Sequence, residues 1–198
     1  ELCSRLNLWH AVHCDEQIDW LATHKTHQPH RVFLKMNSGM NRLGFAPARF
    51  RAAYARLAAL PQVDEISLMT HFADADGERG VAEPWAVFAR TTEGLAGERS
   101  VCNSAAVLRN GQDAAVRGDW VRPGIATYGS SPDYPAHDAA HWGLQPTQTL
   151  SAQLLAVNTV AAGDRVGYGG LFTADRPTRV GVVACGYADG YPRVAPSG

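Results

Sequence analysis

The chain has 198 residues, of which 45% are hydrophobic and 19% are charged, and its formal net charge at pH 7 is -1. This length and composition are typical of a folded protein with a sizeable core and exclude an intrinsically disordered chain. The nearly balanced charge and the lack of an apolar run of roughly 18 residues predict neither a nucleic-acid partner nor a membrane partner.

Four cysteines are spread along the chain, at Cys3, Cys14, Cys102 and Cys185. They form no CxxC pair and no regular framework, which is typical of reduced thiols and favours a cytoplasmic protein. The chain opens with ELCSRLNLWHAVHC and stops soon after a glycine-rich turn. From these two ends we expect the central piece of a longer protein.

Short apolar runs alternate with amphipathic runs over the first two thirds of the chain. The predicted strands are 8–13, 31–36, 63–72 and 99–104, and the predicted helices are 16–24, 46–60, 83–95 and 105–110. Residues 118–129 continue the alternation. Strand–helix units at intervals of about 30 residues predict a parallel sheet. A barrel and an open doubly wound sheet both fit, although the lack of a GxGxxG motif disfavours a dinucleotide-binding open sheet.

The character of the sequence changes over residues 130–147, which are loop-rich and contain three prolines and two histidines. Beyond them, three runs of alternating or β-branched residues predict strands, at 149–160, 164–170 and 178–187. Glycine and aspartate turns join them. We therefore predict an α/β domain over residues 1–143 and an incomplete β-rich domain over residues 144–198.

Polar side chains follow several predicted strands at their carboxyl ends. They are Lys35, Arg42, His71, Asn103, Ser104 and Arg122. Each has a simpler explanation alone: Asn103-Ser104 is a common way to begin a helix, and His71 could serve in a loop. Because active sites of barrels lie at the carboxyl ends of the strands, the recurrence of polar residues there predicts a shared site.

Two other groups of residues could suggest a metal. His24, His27 and His30 are spaced by three, but this spacing spreads them around a helix and Pro29 interrupts it. The carboxylates of HFADADGERG (71–80) fit no helix–loop–helix calcium loop. We therefore expect no metal site.

Six motifs in this chain, KMNSGMNRLGF, MTHFADAD, CNSAA, VRPGIATYG, VGYGG and GYADGYPR, together resemble the alanine racemase family. They span nearly the whole chain in the order found in the family. Members use pyridoxal 5'-phosphate to interconvert L- and D-alanine. The resemblance implies a TIM-type (β/α)8 barrel, present here in part, followed by the start of a mostly β C-terminal domain.

The resemblance also implies which residues bind the cofactor, namely His71, Asn103, Ser104, Arg122, Gly124 and Ile125. Arg122 would face the pyridine nitrogen and keep it unprotonated, because an arginine does not readily give up a proton. His71 would lie beside the cofactor and hydrogen-bond toward Arg122. Ser104 and the backbone at Gly124 and Ile125 would hold the phosphate, and Asn103 would position that turn.

Four further residues acquire roles by resemblance. Tyr168 matches the second catalytic base, which in the family reaches the site of the neighbouring subunit and so implies a homodimer with composite active sites. Tyr187 resembles a residue on the path of the substrate. Arg42 matches the residue that contacts the substrate carboxylate. Lys35 resembles a lysine that carries a carbamate and supports that arginine, the alternative being an unmodified lysine paired with an acid or an anion.

One expected part is missing. The family's Schiff-base lysine lies in an early motif of the type KANAYGHG, and neither Lys25 nor Lys35 occupies such a motif. We therefore expect this chain alone to be inactive. Asn37-Ser38 also stands where many members have Asp-Thr, which removes a negative charge near Lys35.

The resemblance predicts that the parent protein supplies D-alanine for peptidoglycan or L-alanine for catabolism. Two alternatives stay open at this point. The first is a broad-specificity racemase of the same fold that acts on serine or basic amino acids. The second is a non-catalytic pyridoxal-phosphate homeostasis protein, which would be a lone barrel and would not need Tyr168 or a β domain.

Overall fold

The computed structural model describes residues 1–26, 28–192 and 194. His27 of the histidine triplet and Arg193 of the last motif lie outside the described residues. The chain divides into two compact units, Glu1–Gln148 and Thr149–Gly198. Among the described residues, no helix is both long enough and apolar enough to cross a membrane.

The first unit alternates strands with helices. Its strands are β1 (His10–Val12), β2 (His30–Lys35), β3 (Val63–Met69), β4 (Arg99–Asn103) and β5 (Trp120–Arg122). Its helices are α1 (Leu2–Arg5), α2 (Asp15–Thr23), α3 (Pro47–Ala58), α4 (Ala82–Thr92), α5 (Ser104–Asn110) and α6 (Ala114–Arg117), with a 3₁₀ helix at Gly124–Tyr128.

The five strands form one parallel sheet in the order β1-β2-β3-β4-β5. Each strand therefore lies beside its neighbour in sequence, with no reversal of strand order. A doubly wound sheet needs such a reversal, whereas a (β/α)8 barrel adds its strands consecutively. The strand order resolves the two alternatives in favour of part of a TIM-type barrel, and the predicted fold class is confirmed.

Burial alternates along β2 because successive side chains of a strand point to opposite faces. His30, Val32 and Leu34 are buried. Phe50 and Leu57 of α3, both fully buried, belong to the same apolar cluster. The opposite face of β2 presents Arg31, Phe33 and Lys35, which puts Lys35 at the carboxyl edge on the face away from the cluster with α3.

The second unit consists of short antiparallel pairs. β6 (Leu154–Val160) pairs with β9 (Thr178–Val183), and β7 (Arg165–Val166) pairs with β8 (Phe172–Thr173). Two 3₁₀ helices follow β7 and β9, at Tyr168–Gly170 and Tyr187–Asp189. The mostly β character expected for this part of the chain is observed.

Candidate active site

The carboxyl edge of the parallel sheet gathers the polar residues that the sequence singled out. Lys35, Asn103 and Arg122 are the last residues of β2, β4 and β5, and His71 follows the end of β3 by two residues. The other lysine, Lys25, lies exposed in the connection from α2 to β2, at the amino edge. The two lysines of the chain therefore lie at opposite edges of the sheet.

Arg122 is half-buried and bridges three strands at this edge. One terminal nitrogen, Nη1, donates to Ser100 Oγ at 2.6 Å, and the other, Nη2, donates to the carbonyl oxygen of Thr70 at 2.7 Å. Burial lowers the pKa of the Arg122 guanidinium. Because the partners are a hydroxyl and a carbonyl, the charge is hydrogen-bonded but not neutralised, and it remains available to a ligand.

His71 lies between two hydrogen-bond donors. Its Nδ1 is 3.4 Å from Nη2 of Arg122, and its Nε2 is 3.5 Å from Nδ2 of Asn103. Burial, together with the positive charges of Arg122, Arg42 and Lys35, lowers the pKa of His71 to about 4. The imidazole is therefore neutral at physiological pH, which is the form that can accept a hydrogen bond from a donor.

Asn103 uses its whole amide group. Its Oδ1 accepts from the N–H of Ala106 at 3.1 Å and so caps α5, while its Nδ2 donates to the carbonyl oxygen of Phe72 at 3.0 Å. The capping explanation offered for Asn103 is therefore correct. The second contact ties the start of α5 to the loop after β3, so the cap also orients the surroundings of His71.

One cavity, of about 300 Å³, brings the predicted cofactor-binding residues together. Its lining contains all six of them, His71, Asn103, Ser104, Arg122, Gly124 and Ile125, together with Asp76, Ala105 and Pro132. Ser104 Oγ lies at the start of the 3₁₀ helix, where it donates to the Pro123 carbonyl at 2.5 Å and accepts from the Ala126 N–H at 3.2 Å. A hydroxyl beside the first N–H groups of a helical turn suits an anion.

Lys35 ends β2, and Arg42 belongs to a compact loop after it that folds back on the end of the strand. The carbonyl of Lys35 accepts from the N–H of Phe45 at 2.9 Å, and the N–H of Asn37 donates to the carbonyl of Phe45 at 2.9 Å. Burial and the charges of Arg42 and Arg122 lower the pKa of Lys35. Three cations thus face this part of the edge, an arrangement that attracts an anion.

The amide of Asn37 organises that loop. Its Oδ1 accepts from the N–H groups of Gly39 and Asn41, at 3.1 and 2.9 Å, and its Nδ2 donates to Oδ1 of Asn41 at 2.9 Å. An aspartate could accept the first two bonds but could not donate the third. The departure from Asp at this position therefore has a local structural role.

Tyr168 and Tyr187 lie in the second unit, each at the start of a 3₁₀ helix. Tyr168 is fully exposed and Tyr187 is 76% exposed. Three glycines with positive φ surround Tyr168, and Arg165 donates to the carbonyls of Gly169 and Gly170 at 3.0 Å each. The side chain of Arg165 thus stabilises the turn that presents Tyr168.

Two residues that position the site were not identified from the sequence. Thr70 is fully buried; its hydroxyl contacts Ser38 Oγ at 2.6 Å and donates to the Met36 carbonyl at 3.1 Å, and its carbonyl accepts from Arg122. Ser100 accepts the second bond of Arg122. Small hydroxyl residues within or directly after an apolar strand give no periodic signal, and only their positions, one residue before His71 and three residues before Asn103, could have marked them.

Two family models match the chain in sequence. "Alanine racemase, N-terminal domain" covers residues 1–132, and "Alanine racemase, C-terminal domain" covers residues 147–198. Together they cover both the parallel-sheet unit and the β-rich unit.

Curated proteins and solved structures give a consistent likeness. The chain is 73% identical over 198 residues to an alanine racemase of Methylibium petroleiphilum and 71% identical to one of Paracidovorax citrulli, in each case covering 100% of this chain and 54% of the relative. The crystal structure of the biosynthetic alanine racemase from Pseudomonas aeruginosa matches with a TM-score of 0.83 at 43% identity, covering 100% of this chain and 55% of that chain. The chain thus spans about half the length of the curated relatives it matches.

Proposed function

Because the chain belongs to the alanine racemase family, we propose that the full-length protein interconverts L- and D-alanine with pyridoxal 5'-phosphate as its cofactor. The observation that carries the proposal is the cavity in which a neutral His71, a half-buried Arg122 and the Ser104 hydroxyl lie together. The match to the C-terminal family model supports this function over a homeostasis protein made of a lone barrel.

The residues present fit the chemistry of this cofactor. A phosphate needs donors such as the N–H groups of Gly124 and Ile125, and the Ser104 hydroxyl would join them by turning its proton from the Pro123 carbonyl to the phosphate. A pyridine nitrogen can accept from the guanidinium of Arg122. The uncharged ring of His71 offers a flat face. When bound, pyridoxal phosphate would supply a sink for the electron pair left on Cα as its proton departs.

Arg122 decides how strong that sink is. A carboxylic acid at this position could protonate the pyridine nitrogen, whereas a guanidinium with bonds to Thr70 and Ser100 holds its own proton. A weaker sink limits the lifetime of charge at Cα and favours return of a proton to Cα over transfer elsewhere. This preference is what racemisation requires.

Lys35 and Arg42 would serve the substrate end of the site. Arg42 would bind the carboxylate of alanine through charge-assisted hydrogen bonds. Lys35 would carry a carbamate, formed when its nitrogen bonds to the carbon of carbon dioxide and one amine proton leaves to solvent. The lowered pKa of Lys35 favours the neutral amine that this reaction needs. A carbamate would turn one of three clustered cations into an anion that supports Arg42.

The carbamate has its own test. Full-length protein equilibrated with ¹³C-bicarbonate should give a carbamate ¹³C signal that Lys35→Met abolishes and Lys25→Met retains. If the signal persisted in both variants, the carbamate at Lys35 would be contradicted. The alternative, an unmodified lysine paired with an acid or an anion, would then hold.

Tyr168 would exchange a proton with one face of Cα, and a lysine outside these 198 residues would serve the other face. The full exposure of Tyr168 supports a role at a site on a second subunit, so the working unit would be a homodimer. Tyr187 would line the path of the substrate. Neither Lys25, at the amino edge, nor Lys35 would replace the absent lysine, and we expect these 198 residues alone to be inactive.

Racemisation of alanine in the cytoplasm would provide D-alanine for peptidoglycan, or L-alanine for catabolism.

The direct test follows the enantiomers of alanine. Purified full-length protein with pyridoxal phosphate should convert either enantiomer to an equal mixture, and Arg122→Lys should lower kcat/KM at least about tenfold because a single ammonium cannot make the same set of bonds. Arg117→Lys, at an exposed position of α6, is the matched control. Failure to form D-alanine by protein that has bound the cofactor would contradict the proposal, and faster turnover of serine or lysine would favour the broad-specificity alternative.

A further inference from the structure

Asp133 is a buried carboxylate outside the residues already given roles. Its side chain is only 2% exposed, and it lies in the stretch 130–147, which has no regular strand or long helix. Taking a carboxylate out of water is costly unless donors surround it, and a surface loop does not need one. Its burial therefore calls for an explanation.

Three hydrogen-bonding groups and the guanidinium of Arg109 converge on this carboxylate. Ser131 Oγ and Trp142 Nε1 donate to Oδ1 at 2.8 and 2.9 Å, His137 Nδ1 lies 2.8 Å from Oδ2, and Arg109 Nε lies 3.4 Å from Oδ2. Burial alone would raise the pKa of Asp133, but the hydrogen bonds from Trp142, His137 and Ser131 hold it well below its usual range. The carboxylate of Asp133 is therefore an anion, and the loop folds around it.

Arg109 connects this anion to two other segments. It lies in α5, whose first residues include Ser104, and its Nη1 donates to the carbonyl of Ala75 at 3.3 Å in the loop after β3. Asp133, Arg109 and Ala75 thus link three separate segments of the chain.

Each of these three segments contributes to the cofactor cavity. Pro132 precedes Asp133, Asp76 follows Ala75, and Ser104 begins the helix that carries Arg109. The Asp133–Arg109 pair therefore connects the three segments that form the cavity wall at the proposed phosphate-binding end, where the 3₁₀ helix leads into the Asp133 loop.

We propose that Asp133, acting through Arg109, is a positioning residue that holds the phosphate-binding wall of this cavity in place. The inference rests on the proposed function, since it takes pyridoxal phosphate as the occupant. It predicts a selective defect. Asp133→Asn should weaken binding of the phosphorylated cofactor and leave the contacts between the protein and the cofactor ring unchanged.

The experiment compares two ligands that differ only in the phosphate. Full-length apoprotein is titrated with pyridoxal 5'-phosphate and with pyridoxal, and the ratio of the two dissociation constants is measured for wild type and variants. Asp133→Asn and Arg109→Met should each reduce the preference for the phosphorylated form about tenfold, and the double variant should lose little more than either single variant because the pair acts as one unit.

Asp138→Asn is the matched control. Asp138 lies in the same loop and is exposed, and its Oδ1 accepts only a local bond from the N–H of His141 at 2.8 Å. This variant should keep the wild-type ratio. Arg109 is 30% exposed, so Arg109→Met keeps the test decisive if Asp133→Asn does not fold.

The outcomes separate this inference from its premise. Wild-type protein that neither binds pyridoxal phosphate nor racemises alanine would overturn both. Wild-type protein that does both, together with Asp133→Asn and Arg109→Met variants that keep its ligand preference or weaken both ligands equally, would overturn the positioning role alone.

Discussion

Nη2 of Arg122 lies 3.4 Å from Nδ1 of His71 while it donates to the carbonyl of Thr70, the residue just before His71, at 2.7 Å. The guanidinium thus fixes the backbone that carries the imidazole and also faces the imidazole itself. A cation so close cannot easily tolerate a second positive charge on the ring, so the pair stays in the form Arg122 charged and His71 neutral.

This relationship predicts how stability depends on pH. The pKa of His71 is about 4 in the folded protein, below the ordinary value of 6.5. Between these values the unfolded chain binds a proton that the folded chain does not, so the free energy of unfolding should fall as the pH is lowered from 7 toward 4. Urea unfolding of the cofactor-free protein at several pH values measures this.

The His71→Gln variant isolates the contribution of His71. Burial also lowers the pKa values of His10 and His30, so the variant should lose only part of the pH dependence between 7 and 4. Parallel pH profiles of His71→Gln and wild type would contradict the assignment.

Asn103 should contribute to cofactor binding as well as to the capping of α5. Asn103→Ala removes the acceptor for Ala106 and the donor to Phe72 and should destabilise the protein by about 2 kcal/mol, while also weakening cofactor binding. Asp113→Ala removes the equivalent cap of α6, where Oδ1 accepts from Ala115 at 3.0 Å, and should cost about 1 kcal/mol without affecting the cofactor. Equal effects of both variants on cofactor affinity, measured by titration, would exclude a role for Asn103 beyond helix stability.

Gly44 should tolerate no side chain. Its φ is +124°, and a Cβ there would lie 2.7 Å from both the Asn37 nitrogen and the Met36 carbonyl carbon. Gly39 in the same loop has a φ of +135° with open space around it, which makes Gly39→Ala a matched control for the backbone strain. We expect Gly44→Ala to be at least about 2 kcal/mol less stable than Gly39→Ala in urea unfolding. Similar losses of stability in the two variants would mean that the loop around Asn37 shifts to accommodate the added Cβ at little cost.

The proposed homodimer with composite sites makes a quantitative prediction for mixed dimers. Arg122→Leu and Tyr168→Phe should each be nearly inactive as homodimers. If subunits exchange after mixing in equal amounts, half of the dimers are hybrids, and each hybrid has one site with both changes and one intact site, so about one quarter of wild-type activity should return. No recovery despite demonstrated subunit exchange would place Tyr168 and Arg122 of one site on the same chain.

The regular elements were predictable because burial is periodic in them. The helix predicted at 46–60 is observed at Pro47–Ala58, and the strand predicted at 31–36 is observed at His30–Lys35. The run 164–170 was predicted as a strand, but only Arg165–Val166 pairs. Positive φ angles at three glycines take the rest out of the β region, and composition alone does not indicate which glycines adopt them.

The position of the candidate site was easier to predict than the hydrogen bonds and ion pairs within and around it. Residues at strand ends share an edge in any parallel sheet, so the grouping of His71, Asn103 and Arg122 follows from topology. The bond from Arg122 to Thr70 joins residues 52 positions apart, and the buried carboxylate of Asp133 meets Arg109 of α5, a residue from another segment. Such contacts arise from packing between segments and leave no local pattern in the sequence.

The two lysines at opposite edges of the sheet make the chain its own chemical reporter. An amine-acylating reagent meets an exposed Lys25 at the amino edge and a partly enclosed Lys35 with a lowered pKa at the carboxyl edge. After digestion, the two peptides carry separate mass tags. Acylation of Lys35 would record how much of its amine is free of the proposed carbamate and open to solvent at the carboxyl edge. Acylation of Lys25 would serve as the internal standard, and no residue would have to be changed to measure either.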